Sequence, residues 1–183
     1  ITVAVDLTAT TLASIRTQMS GAMGFDPPSL EAAAAWCLRN EVNYDEAFNW
    51  IVSATDPNLG GRNSFTALST KSRLLSKLNR QAEADEAMRL GLENASAQEM
   101  HLYGRELLTE KKTKEAFAVF EKNFKKNKGA WPTHVGMMRG YSALGDVKKA
   151  LEHARLALAQ APNEVNKQSL EQAVKTLESG KPL

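Results

Sequence analysis

The chain has 183 residues, 43% of them hydrophobic and 24% charged, and a formal net charge of +2. This balance excludes wholesale disorder and suits one domain or a short array of repeats. It also excludes a polycation, so bulk charge gives no support to nucleic-acid binding. The single cysteine, Cys37, excludes an internal disulfide, and no apolar run approaches the ~20 residues of a membrane span.

Ile1-Thr2-Val3-Ala4-Val5-Asp6 alternates β-branched and polar residues, which predicts a strand. A lone strand needs partners, so 1–6 is read as the last strand of an upstream β domain and the chain as part of a longer one. Leu12, Ile15 and Met19 then mark a helix. Segment 1–24 is accordingly set apart from a helical domain over 25–183.

After the breakers Gly21, Gly24 and Pro27-Pro28, apolar residues recur at helical spacing. They predict helices over 29–41, 44–56, 64–78, 81–94, 97–110, 113–127, 132–144, 147–160 and 163–179. Asn43 with Glu46, and Ser96 with Glu99, have the spacing of capping boxes. Gly145-Asp146 reads as a stop followed by a fresh cap. Asn58 to Asn63, with Gly60-Gly61, is the longest loop. Cys37, between Trp36 and Leu38, reads as a buried structural thiol rather than a reactive one.

Self-comparison gives a repeat. Ala47, Ala84, Ala116 and Ala150 follow one another at spacings of 37, 32 and 34 residues, and the longest spacing holds the Gly60-Gly61 loop. Twelve residues before each alanine stand Ala35, Ser72, Gly104 and Met138. Nine before stand Leu38, Leu75, Leu107 and Tyr141, and four after stand Ile51, Met88, Phe120 and Ala154. Small residues let the two helices of a pair approach, bulky ones fill the space between them, and each pair leaves a face for its neighbour. Met138 and Ala154 depart from this scheme in the last repeat and compensate in volume. Asn123 and Lys128 make the third repeat the least typical.

The segment Tyr141-Ser-Ala-Leu-Gly-Asp146, with Ala150, Ala157 and Pro162, closely resembles the tetratricopeptide consensus. The resemblance implies an all-α fold, a right-handed solenoid of about four helix-turn-helix repeats. Those repeats cover 28–61, 65–96, 97–130 and 131–162. The alternative is a generic helical bundle. Segment 163–179 is expected to cap the stack, with Val165, Leu170, Ala173, Val174 and Leu177 inward and Lys167, Gln168, Glu171, Gln172 and Lys175 outward. Stretches such as Ala33-Ala-Ala-Trp-Cys-Leu38, Asp45-Glu-Ala-Phe-Asn-Trp50 and Tyr103-Gly-Arg-Glu-Leu-Leu108 also resemble a bacterial family of unknown function. That family pairs a small β domain with such helices. Its members are exported, which implies the periplasm or cell surface; it brings no activity.

In tetratricopeptide stacks the first helix of each pair faces a concave groove. The corresponding residues are Trp36, Arg73, Arg105 and Arg139, with Arg39, Asn40, Lys77 and His101 beside them. A row of guanidinium groups suits an acidic or C-terminal peptide, and tryptophan is a common anchor. The competing reading pairs the arginines with Glu99 or Glu106 and places Trp36 in the core. The chaperone-tail carboxylate clamp is not expected, since Ala32, Trp36, Ser69 and Arg73 stand where its lysine and asparagine belong. The lysine run from Lys111 to Lys128 reads as a solvated face, because Phe117, Phe120 and Phe124 keep core spacing. His101, His134 and His153 lack metal spacing, and no phosphate loop or catalytic triad is legible. The expectation is a non-enzymatic module that binds a protein or acidic peptide and needs no cofactor, metal, nucleic acid or membrane insertion. The alternative is a structural arm against an upstream β domain or a second copy.

Overall fold

A computed structural model gives the structure of residues 6–183; the strand expected over 1–6 lies outside the described residues, except for Asp6. Asp6 is the N-cap of the first helix, its carboxylate accepting from the Ala9 amide at 3.0 Å. The described residues are all helical, with no strand. The helices are α1 (Leu7–Met19), α2 (Pro27–Arg39), α3 (Tyr44–Ala54), α4 (Phe65–Lys77), α5 (Gln81–Asn94), α6 (Ala97–Thr109), α7 (Thr113–Lys126), α8 (Trp131–Ala143), α9 (Val147–Ala159) and α10 (Glu164–Glu178). Each predicted helix is present within two residues of its expected bounds. The largest shift is at α2, which starts at Pro27 because proline fits a first helical turn and Asp26 accepts from the Ser29 amide at 3.0 Å.

The turn inside each of the last three helix pairs repeats atom for atom. Asn79, Lys111 and Gly145 take left-handed φ values of 59°, 62° and 82°. The following amides of Arg80, Lys112 and Asp146 donate to the carbonyls of Leu75, Leu107 and Tyr141, each at 2.9 Å. This is the 6→1 bond of a Schellman ending, and it recurs at the 32- and 34-residue spacing of the alanine frame. The side-chain repeat is therefore also a backbone repeat.

The chain divides into two compact units, Ile1–Asn94 and Ala95–Leu183. In the first, α2 pairs with α3 and α4 with α5. Leu30, Ala34, Cys37, Ala47 and Ile51 form its core, and Leu12, Ile15 and Met19 of α1 pack against it. Ser72 shows why the frame wants a small residue: its hydroxyl reaches the Ala84 carbonyl across the pair at 2.7 Å. Asn43 and Glu46 correct one expectation. They make no capping box, because Asn43 is left-handed and its side chain does not cap. Instead the Asn43 amide and the Arg16 guanidinium both donate to Glu46, at 2.6 and 2.8 Å, tying α1 to α3.

In the second unit α6 pairs with α7, α8 with α9, and α10 lies on α9. Ser96 and Glu99 do form the expected capping box. The fully buried ring of Phe120, on α7, fills space left by glycines on two other helices. A methyl group at Gly104 of α6 would run into this ring, and one at Gly136 of α8 would come within 2.7 Å of it. Gly140 is similarly close to Phe117, at 2.9 Å. The frame's small residue in the last repeat is thus replaced by two glycines flanking Met138. Met138 and Ala154 are buried in one cluster, as volume compensation requires. Asn123 is buried because its amide donates to the Ala97 carbonyl at 2.8 Å, joining α7 to the start of α6.

On α10, Leu170 and Leu177 are buried and Ala173 and Val174 pack beside them, but Val165 is 77% exposed. At 3.6 residues per turn Val165 falls about 130° from the stripe formed by the others. No helix among the described residues is long and apolar enough to cross a membrane.

Two outcomes test this packing. Gly104→Ala gains helix propensity worth at most about 1 kcal/mol but drives a methyl into a buried ring, so net stability falls by about 1–3 kcal/mol in urea unfolding. Cys37 is fully buried, and burial, with Glu46 adding, raises its thiol pKa. Thiol titration of the native chain should therefore give no fast reaction, with one equivalent appearing on unfolding.

Candidate functional site

The most chemically distinctive place among the described residues is a cleft of about 400 Å³ in the second unit. Three helices supply most of it, and Leu183, whose amide donates to the Ser142 hydroxyl at 2.6 Å, completes the lining. From α6 come Gln98, His101 and Arg105, spaced by three and four; from α8 come Trp131, Val135 and Arg139, spaced by four, with Met138 beside them. Both spacings put the residues on one helix face. From α10 come Asn166, Ser169, Leu170, Ala173 and Thr176, the polar members flanking the apolar stripe that meets α9, with Gln172 at the rim.

Three polar atoms in this cleft are buried without a hydrogen-bond partner: His101 Nδ1, Trp131 Nε1 and Arg139 Nε. Native structures pair almost all such atoms, and each unpaired one costs about 1–3 kcal/mol. Their electrostatics are equally uncompensated. No Asp or Glu lines the cleft. Among the described residues neither Arg105 nor Arg139 takes part in an ion pair, and Glu99 is held by the Ser96 capping box. Burial lowers the Arg139 pKa, and the Arg105 charge adds to the effect. His101, only 7% exposed, is held at about pKa 4, first by burial and then by Arg139 and Arg105. Its ring is neutral near pH 7 and rests against Phe120, the two centroids 6.1 Å apart. Two cations and a neutral imidazole converge with no Asp or Glu side chain among them, an arrangement that attracts a negatively charged ligand.

His101, Arg105 and Arg139 of the expected set thus share one cleft. Sequence reading missed Trp131 because its predicted helix begins one residue later, although 131, 135 and 139 form a regular stripe. It missed Asn166, Ser169 and Thr176 because α10 was read as a cap with an apolar inner face. The remaining expected residues lie in the first unit. Trp36 is half-buried against the core there and, with the exposed Arg39, borders an apolar hollow lined by Ile15, Met19 and Met23. Arg73 is half-buried in α4. Lys77 is engaged within its own unit, 3.1 Å from Glu41 and above the Tyr44 ring.

Behind α8, His134 and His153 approach through their Nδ1 atoms at 3.0 Å, with Phe124 against both rings. One ring donates and the other accepts, so the accepting ring is neutral; burial lowers both pKa values. Among the described residues no three His, Cys, Asp or Glu side chains are grouped to hold a metal ion. Lysines of the run are tied to their surroundings: Lys112 pairs with Glu110 at 2.8 Å, Lys125 with Glu121 at 3.0 Å, and Lys126 donates to the Ala95 carbonyl at 2.8 Å. Comparison with family models, with curated proteins and with solved structures finds no match to the chain.

The depressed His101 pKa fixes a pH dependence. Unfolded, the ring titrates near 6.5; folded, near 4. Between these values the unfolded chain binds the extra proton, so this contribution is intact above pH 6.5 and lost as pH falls to 4. The loss amounts to about 3 kcal/mol. Denaturant unfolding at a series of pH values should show that much more acid destabilisation in the wild type than in His101→Gln. Parallel profiles would contradict the buried, neutral imidazole.

Proposed function

We propose that the chain is a non-catalytic binding module of the tetratricopeptide type, whose second unit receives an acidic segment of another protein. The repeat supports this reading. Small and large residues, left-handed turn residues and Schellman bonds recur in one register, as expected of stacked helix pairs in a right-handed solenoid. The observation that carries the functional part is the group of three unpartnered buried atoms, His101 Nδ1, Trp131 Nε1 and Arg139 Nε, facing one cleft beside Arg105. Arg139 Nε and Trp131 Nε1 are donors left for a ligand to complete, whereas the neutral His101 ring donates to the Pro132 carbonyl and keeps Nδ1 as an acceptor. The groups are binders in character: guanidinium and indole N–H donate, and the imidazole is set against an aromatic ring rather than a nucleophile.

Fluorescence anisotropy with a labelled library of acidic peptides tests the proposal. The wild type should retain a subset that the Arg105→Glu/Arg139→Glu variant binds at least about 100-fold more weakly, since reversing two charges replaces attraction by repulsion. Circular dichroism should show the helices intact. Arg73→Glu, measured separately, reports whether the first unit contributes. Equal binding by the double variant and the wild type would refute the assignment.

A further inference from the structure

We infer that the floor of the second unit's cleft is a site for a single carboxylate on a short aliphatic stem, received between α6, α8 and α10. The inference rests on the binding-module reading and specifies the group that is recognised.

The donors are the first ground. Arg139 Nε and Trp131 Nε1 each offer one N–H, both atoms are buried, and neither has a protein partner. The exposed Arg105 adds a guanidinium fork to the lining. A carboxylate has two oxygens with about four acceptor positions, which this set fills. A phosphoryl group presents three oxygens and a larger charge, and the floor would leave part of both unmatched. The neutral His101 ring adds no third cation to compensate.

Shape is the second ground. The lining also holds the buried apolar side chains of Val135, Met138 and Leu170. A stem of one or two methylenes would cover these side chains while the charged end reaches Arg139 and Trp131. The α10 wall then presents Asn166, Ser169 and Thr176, neutral groups that can bond to amides flanking the stem. A volume of about 400 Å³ accommodates a small ligand or one side chain with its flanking peptide groups. The carboxylate can therefore belong to a free small acid or to a glutamate or aspartate of a partner. The shared chemistry is the carboxylate and its stem.

The test uses the indole N–H resonances of the full chain, which has three tryptophans, Trp36, Trp50 and Trp131. Trp131→Phe identifies the resonance of interest in a proton–nitrogen correlation spectrum. Succinate, inorganic phosphate, and two blocked peptides that differ by one Glu→Gln exchange are then titrated. Succinate or the glutamate peptide should shift the Trp131 resonance saturably, and Arg139→Gln should weaken that binding at least about ten-fold. Arg155→Gln, which removes a surface ion pair with Glu178 in the same unit, should leave it unchanged. Succinate active and both peptides silent would uphold the carboxylate site and overturn the protein-binding reading. Equal binding of the two peptides would leave that reading standing and overturn the carboxylate. Phosphate binding as tightly as succinate, or no shift with any probe at millimolar concentration, overturns the carboxylate as well.

Discussion

The second unit depends on the seat of one ring. Phe120 occupies volume that exists because Gly104 and Gly136 have no side chains, and it is fully buried there. A ring held by glycines from two helices sets how closely those helices approach. His101 and Arg105 flank Gly104 on α6, and Arg139 stands between Gly136 and Gly140 in sequence on α8. The contact that fixes α6 beside α8 therefore also fixes where the cleft's polar groups converge, and the His101 ring rests on the same phenylalanine. Packing and site have one origin.

The arrangement is costly. Three buried polar atoms without partners forgo about 1–3 kcal/mol each, against a typical net stability of 5–15 kcal/mol for a domain. Arg139 and Arg105 repel each other, and both oppose a proton on His101. The rest of the unit is arranged conventionally. Asn123 is satisfied by the Ala97 carbonyl and by Asn127, helix starts are capped by Ser96, Asp146 and Asn163, and surface lysines find glutamates. Among the described residues, the buried side-chain atoms left without a partner gather in one place, where the proposed ligand would bind. Under that proposal, binding recovers free energy that folding leaves unspent.

The helices and their register were legible because they follow from period alone. Ala47, Ala84, Ala116 and Ala150 stand where two helices must touch, and a residue forced to be small leaves a readable mark. The left-handed turns were legible only at Gly145, since Lys111 and Asn79 adopt the same backbone without glycine's signature. The cleft was legible in part. The frame placed Arg73, Arg105 and Arg139 at equivalent positions, but equivalence in a repeat does not say which side chains share a cavity or which are already engaged, as Lys77 is by Glu41. Trp131 was hidden at a helix boundary, and the polar residues of α10 were hidden by its apolar stripe. The Asn43–Glu46 spacing misled because a capping box and a cross-helix bond to Arg16 look alike in one dimension.

The measurement closest to the central claim is a nuclear Overhauser spectrum of the labelled full chain. It would record contacts of the Phe120 ring protons with the α-protons of Gly104 and Gly136, and with the His101 ring. The account predicts strong contacts to both glycines, α-proton shifts moved from their random-coil positions by the ring current, and a contact to His101. Glycine shifts at random-coil values with no contact to Phe120 would contradict it, because the ring would then not be seated between α6 and α8.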